Sequence, residues 1–426
     1  RTRVKSDQFY ITHQTTKGHM AIYEGRPSTD WDKNKELGID VPVISHESGQ
    51  RCIYPNFKEI PNFTGPVQAR NFEVYRDSLE AHGMLDQADD FYQVSGAQTV
   101  LEYKDVIEAQ LRTYLKSGFQ LLSINDFTGQ GYAPVGILDP FWNSKGLITP
   151  EKFREFCAPT VALLRFSKRS YYNDDVFTGK AEVYNYSPSA QNIGNHGVFP
   201  VGEFSYALNG VTAPQKLTVH LSVNNTINNS WDIWVYPRRE LKELMRSTAD
   251  VLYTTVFDDK AKQFLKDGKK VVLCPMPAKV IGRSSNFHNH FWNPIMFKWK
   301  PMTLGCLIHT EKAMFDDFIT EKHLDWQWWD ILTHAKVIEM DEAPRQLRPF
   351  IQVIDSYETN HKLGIGFEAK IGNGKLMVLA LDTKKEMEKR PATQQLLVSI
   401  DRYVKSDRFN PQVDVEASFI ESFLRK

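Results

Sequence analysis

Residues 41–50 read VPVISHESGQ, a short apolar, β-branched run that breaks into polar atoms at Ser45, His46 and Glu47, with Gly49 two residues beyond. Val41, Val43 and Ile44 suit a strand buried on both faces. A carboxylate at the C-terminal end of such a strand stands where a (β/α) barrel holds its catalytic groups. A second apolar run, 119–124, ends in Asn125, Asp126 and Phe127 and a glycine turn through Gly129 and Gly131. Two strands that each end in an acid are what a carboxylate-based hydrolase needs. The structural alternative for Glu47 is an ion-paired strand end.

Retention of configuration at a sugar carbon takes two carboxyls about 5–5.5 Å apart, one nucleophile and one acid/base. Glu47 is the candidate nucleophile. Asp126, on the neighbouring strand, either joins that site or bonds backbone in the tight turn that follows it. His46 precedes Glu47, and strand pleating turns it to the opposite face, where it reads as a packed or hydrogen-bonded histidine; with Tyr10, Gln50, Asp126, Gln130 and Trp142 it makes up the candidate substrate-binding set. Tyr10 ends an earlier strand, and its phenol could hydrogen-bond a neighbouring carboxylate. Gln50 and Gln130 suit sugar hydroxyls. Trp142, after Asp139-Pro140, is a stacking wall or a core residue.

Metal chemistry finds no support in the spacing. His288 and His290 form an HxH pair with His309, His323 and Asp325 further on, but no zinc pattern results. Cys52, Cys157, Cys274 and Cys306 are far apart and read as buried thiols. No metal and no cofactor is expected. Cys306 lies within an apolar run rather than at a strand-to-helix elbow and reads as core. Trp326, Trp328 and Trp329 form a packing anchor or an interdomain contact.

The elements that must position these groups fall into three segments. The 426 residues carry 52 basic and 52 acidic side chains, a balance with no footprint for nucleic acid or an anionic membrane. No apolar stretch approaches the ~20 residues of a membrane span. Residues 1–165 alternate strand and helix. Strands are expected at 8–12, 41–45 and 119–124, and a short polar helix over 30–37. Two more helices show apolar stripes, Phe72, Tyr75, Leu79 and then Tyr103, Ile107, Leu111, Leu115. Thr149-Pro150 opens another. Residues 166–240 hold short strands separated by Asn, Gly, Pro and Ser, the pattern of a β-sandwich. Residues 241–426 return to strand and helix, with a hairpin signal at 372–374, and read as a doubly wound α/β domain with a parallel-rich sheet.

At SHESGQ and GFQLLSINDFTGQG the chain resembles glycoside hydrolase family 2, and more narrowly its multidomain β-galactosidase/β-glucuronidase-like members from polysaccharide-degrading Bacteroidetes. Residues 138–157, LDPFWNSKGLITPEKFREFC, are similar to that subgroup's run out of the barrel. The resemblance implies the C-terminal part of a (β/α)8 TIM barrel, then a β-sandwich, then a flavodoxin/amidotransferase-like accessory domain. It implies a retaining exo-β-glycosidase, periplasmic or secreted, acting on oligosaccharides from plant or algal polysaccharides. Glu47 takes the nucleophile's position and Tyr10 that of the tyrosine touching it. The family's acid/base lies in an Asn-Glu pair. No Asn-Glu dipeptide occurs here, so that group is expected from a missing N-terminal barrel half, in the same gene product or a partner chain. Asn125 stands where the family has an aromatic, which leaves the glycone specificity open. The reading from another class is a non-catalytic carbohydrate-binding or scaffolding protein. The chain begins Arg-Thr-Arg and reads as processed or as a piece of something longer. Left alone, strand 8–12 would be a bare sheet edge, a liability that folded proteins cover.

Overall fold

A computed structural model describes residues 4–5, 10–13, 26–30, 41–113, 116–188, 194, 196–240, 244–298 and 300–425. Strands β1 (Val4–Lys5), β2 (Tyr10–His13), β3 (Val43–Ser48) and β4 (Lys116–Leu121) form one sheet in that order. β2, β3 and β4 run parallel. β1 lies antiparallel on β2, with Val4 opposite Ile11 and Lys5 opposite Tyr10. That pairing covers part of the edge where the barrel reading expects a parallel neighbour. A short connection permits antiparallel pairing, whereas a parallel neighbour needs a long crossover. The described sheet is open rather than a closed barrel. Residues 31–37 of the expected polar helix lie outside the described residues.

Between β3 and β4 run α1 (Arg70–Ala81) and α2 (Ala88–Arg112). α1 buries Phe72, Tyr75 and Leu79, the stripe that helical periodicity places on one face. α2 is covered along most of its length. Beyond its apolar residues it buries Gln98, Glu102, Asp105, Glu108 and Arg112, which a surface helix would keep in water.

Thr149 Oγ1 accepts the Lys152 amide at 3.3 Å and Pro150 takes the first position of α3 (Pro150–Arg154). The sandwich follows: β5 (Thr160–Arg165), β6 (Ser170–Tyr172), β7 (Val176–Asn185), β8 (Gly197–Ala207), β9 (Gln215–Val223) and β10 (Ile227–Tyr236). Its sheets are β5-β7-β8 and β6-β10-β9. Leu164, Phe177, Trp231 and Ile233 fill the space between them. β5 pairs antiparallel with β7, so the sandwich takes in Thr160–Arg165, which the sequence reading assigns to the first segment. TVALLR has no alternation because four consecutive residues are buried, and period two cannot reveal such a strand.

The last segment holds β11 (Val251–Thr254), α4 (Asp259–Lys266), β12 (Lys270–Leu273), β13 (Arg283–Ser284), β14 (Thr303–Ile308), α5 (Trp328–Thr333), β15 (Lys336–Glu339), β16 (Ile351–Asp355), β17 (Leu363–Ile371), β18 (Gly374–Leu379), α6 (Pro391–Lys405) and α7 (Ala417–Ser422). Its sheet runs β11-β12-β18-β17-β15-β13, with β16 on β17 and β14 on β16. Only β11–β12 and β12–β18 are parallel. The other five pairings are antiparallel. The sheet is therefore mixed, not the parallel-rich, doubly wound sheet that the sequence reading expects. The hairpin at 372–374 shows why: a tight turn returns β18 antiparallel to β17 where a crossover helix would have been needed.

The first and last segments share a core. Phe72 and Phe91 cluster with Leu304, Leu307, Ile354 and Tyr357. The Asn289 amide reaches Cys52 O (3.0 Å), Ser95 O (2.9 Å) and Thr99 Oγ1 (2.9 Å). Among the described residues no helix is long and apolar enough to cross a membrane.

Candidate functional site

β3 carries one residue more than β4 at its C-terminal end. Ser45 faces Phe119 and Ser48 faces Leu121, three steps on one strand against two on the other. Such a bulge re-aims side chains and recurs beside active sites. Glu47 lies inside it at φ 61°, in the left-handed region that a glutamate rarely adopts. Gly49 follows at φ 72°, and a Cβ there would strike the Tyr103 ring of α2. The Tyr103 hydroxyl anchors this turn, 2.7 Å from Gly49 O and 2.8 Å from Val135 O.

The bulge corrects the expected placing of His46. Its Nε2 lies 3.5 Å from Glu47 Oε1, and its Nδ1 lies 2.7 Å from Gln120 Oε1. Strand alternation fails at Glu47, so the two side chains meet instead of pointing apart. Both are partly open to solvent, at 35% for His46 and 23% for Glu47. Gln50 is buried, and among the described residues neither its amide nitrogen nor its oxygen has a partner, which is rare for a buried polar group.

The other expected site residues are placed differently. Tyr10 opens β2 rather than ending it. It is level with Val43, four residues before Glu47, while His13 is level with His46. Asp126 is buried and closes the turn: Tyr132 Oη donates to it at 2.6 Å, Gly136 N at 2.8 Å and Lys145 Nζ at 2.6 Å. Burial pushes its carboxyl up despite Lys145 beside it. Of its two readings the structure has the turn-closing one. Gln130 Oε1 accepts Trp292 Nε1 at 2.9 Å. Trp142 is 65% exposed at φ 68°, in a turn where Asp139 Oδ1 accepts the amides of Phe141 and Asn143, each at 2.8 Å. It is a surface aromatic, not a core one.

Two further groupings have no signal in the sequence. Glu59, buried with one carboxylate oxygen unpartnered, is pushed up to about 7 by burial. It lines a polar cavity of about 340 Å³ with Asp139 and Lys145. On the side of α2 remote from Tyr103 lies a cleft of about 720 Å³, bounded also by the sandwich and the last segment. Glu108 is the hub of its wall. Its Oε2 accepts Trp231 Nε1 at 2.8 Å and Arg112 Nη1 at 3.2 Å, and its Oε1 accepts Asn229 Nδ2 at 2.8 Å and pairs with Lys104. Burial would raise its pKa, but Lys104 and Arg112 hold it down to about 2.

Among the described residues, one cluster offers metal-ligand chemistry. Single ligand atoms of His82, Asp341 and His361 lie within 4.8 Å of one another. His361 Nδ1 sits 2.5 Å from Asp341 Oδ2, and His82 Nδ1 lies 2.8 Å from Ser78 O. The cluster joins the end of α1 to the last segment, with His82 more than 250 residues from Asp341 and His361, so no spacing could have shown it. The HxH pair is divided: His288 Nδ1 lies 2.9 Å from Glu102 Oε1, and His290 Nε2 lies 2.6 Å from Phe297 O.

Residues 252–425 match the sequence model of a domain of unknown function, DUF8487. Residues 176–237 match a second domain of unknown function, DUF8488. The first match spans the mixed sheet from β11 to α7, and the second spans the sandwich from β7 to β10. No curated protein matches the chain.

Proposed function

We propose that this chain supplies the nucleophile half of a retaining exo-β-glycosidase, with Glu47 as the nucleophile. The observation that carries the reading is the bulge at the C-terminal end of β3, which holds Glu47 in a left-handed conformation beside His46, partly open to solvent. Backbone strain of this kind concentrates at functional sites. In this reading a Glu47 carboxylate oxygen attacks the anomeric carbon, and the bond to the leaving-group oxygen breaks. An acid from a segment outside this chain protonates that oxygen, then removes a proton from the water that hydrolyses the glycosyl–Glu47 ester. The family 2 resemblance of residues 1–160 supports the same assignment.

The test uses a substrate that needs no acid. Dinitrophenyl 2-deoxy-2-fluoro-β-glycosides carry a leaving group that departs unprotonated, so they report on the nucleophile alone. Incubation with the galactoside and the glucuronide, followed by peptide mass mapping, is expected to place a fluoroglycosyl adduct on Glu47. An unlabelled Glu47, or hydrolysis of the parent dinitrophenyl glycosides that Glu47→Ala leaves unchanged, overturns the assignment.

A further inference from the structure

We propose that His82, Asp341 and His361 bind a divalent ion of the zinc class and so clasp the end of α1 to the last segment. The three offer single ligand atoms within 4.8 Å of one another. Ligand atoms on one tetrahedral zinc stand about 3.4 Å apart, so the Asp341–His361 pair opens and His82 draws in, each by about 1 Å. An ion can reach all three. The side chains of His361 and Asp341 are 33% and 34% exposed, and His82 is half-buried.

The fold holds these groups in place through other bonds. Asp341 Oδ1 accepts the Lys362 amide at 2.7 Å, which leaves Oδ2 to face His361 Nδ1. The His361 amide donates to Asp355 Oδ2 at 2.9 Å. Asn360, just before it, sits at φ 53° and donates to Tyr75 O of α1 at 3.2 Å. Asn360 Oδ1 also accepts from Tyr54 Oη at 2.6 Å. The turn that carries His361 is thus tied to the helix whose end carries His82. Ligands held in this way lose little freedom when an ion enters.

His82 is the residue that distinguishes a metal site from an ion pair. Asp341 and His361 would make a complete pair by themselves. His82 brings a second imidazole, its ring centre 5.8 Å from that of His361, while its own Nδ1 bonds Ser78 O at 2.8 Å. A carbonyl only accepts, so Nδ1 carries the ring proton and Nε2 keeps its lone pair. An imidazole whose second nitrogen donates to a backbone carbonyl is the usual form of a metal-bound histidine. The last carbonyls of α1 also favour a cation here. Arg345 bonds one of them, Ala81 O, at 3.3 Å, but it is exposed and water screens its charge.

The donor set selects the ion. Calcium and magnesium take oxygen ligands, whereas two imidazoles and one carboxylate suit zinc, with cobalt as its substitute. The ion takes the place of the proton between His361 Nδ1 and Asp341 Oδ2, and that proton passes to the other ring nitrogen. Three protein ligands leave a fourth position for water. The site is independent of the glycosidase reading.

The experiment strips the full chain with EDTA, dialyses it and titrates it with zinc chloride in a calorimeter. One ion per chain should bind with a Kd of about 100 µM or tighter, and zinc should raise the thermal midpoint. His82→Gln, His361→Gln and Asp341→Asn should each weaken binding about tenfold or more. His334→Gln, at a histidine 3.2 Å from another carboxylate, Asp330, should leave it unchanged. Circular dichroism reports whether each variant folds. A second measurement needs no variant: zinc should shield His82 and His361 of the parent chain from diethyl pyrocarbonate, mapped by peptide mass, and leave His334 as reactive as before. Binding weaker than about 100 µM, binding unaltered in the folded ligand variants, or no shielding of His82 and His361 overturns the proposal.

Discussion

His46 Nε2 lies 3.5 Å from Glu47 Oε1, although the two residues are consecutive in one β-strand. Regular pleating would put them on opposite faces. The extra residue of the bulge and the φ of 61° at Glu47 cancel the alternation. A side chain that merely ended a strand in an ion pair would not need this conformation.

That contrast yields the first prediction. Asparagine tolerates the left-handed region better than glutamate. Glu47→Asn should therefore keep the stability within about 1 kcal/mol of the parent, while fluoroglycosyl labelling disappears. Urea unfolding and peptide mapping measure both. A loss above about 2 kcal/mol would mean that Glu47 is a structural anchor.

Local features of the fold were legible where one face decides the residue type. The stripe Phe72, Tyr75, Leu79 became the buried face of α1, and Thr149-Pro150 became the start of α3. Features set by distant chain were not legible. Glu102, Asp105 and Glu108 recur on α2 as a solvated face would, and only the sandwich and the last segment turn that face inward. The bulge at Glu47 was hidden for another reason: no residue between Ser45 and Ser48 is a glycine, so nothing marked the extra residue. By sequence Asp126 fits either role, and its partner Lys145, nineteen residues on, is brought to it only by the fold.

The Asp126–Lys145 pair is almost wholly buried, at 1% and 2% exposure. Removing one partner strands the other charge. Lys145→Met should cost about 3–5 kcal/mol, seen as a lower urea midpoint. Asp126→Asn strands the Lys145 ammonium in the same way and should cost a similar amount, although its carbonyl oxygen can still accept from Tyr132 or Gly136. Losses below about 1 kcal/mol in both variants would argue against a charge-based role.

Asp105 is pushed up by burial from the ordinary 3.8 to about 6. The folded protein thus holds this proton more tightly than the unfolded chain does. Its contribution is complete below about pH 4 and is lost as pH rises through about 6, by about 3 kcal/mol at most. Asp105→Asn removes the penalty. The variant should be more stable than the parent at about pH 7.5 and indistinguishable from it near pH 4, in denaturant titrations at the two pH values. A variant less stable at both pH values would show that the carboxylate has a partner in the fold.

Glu108, three residues further along α2, has the opposite sign. Burial alone would raise its carboxyl, but Lys104 and Arg112 hold it at about 2, below the ordinary 4.5. Its contribution is present above about pH 4.5 and is lost as pH falls through about 2, again by about 3 kcal/mol. Glu108 also binds the sandwich to α2, through Asn229 and Trp231 of β10. Glu108→Ala leaves Lys104 and Arg112 without their carboxylate and frees the two β10 donors at once. It should cost about 3–5 kcal/mol and undock the sandwich. In calorimetry a low-temperature transition should separate from the main one, and amides of β9 and β10 should exchange faster than those of β16 and β17. Glu108→Gln, which can still accept from Trp231, should lose the charge contribution yet keep a single transition. If Glu108→Ala melts in one step with uniform exchange, the sandwich is held by its apolar contacts alone, and the buried carboxylate serves charge balance within α2 rather than docking.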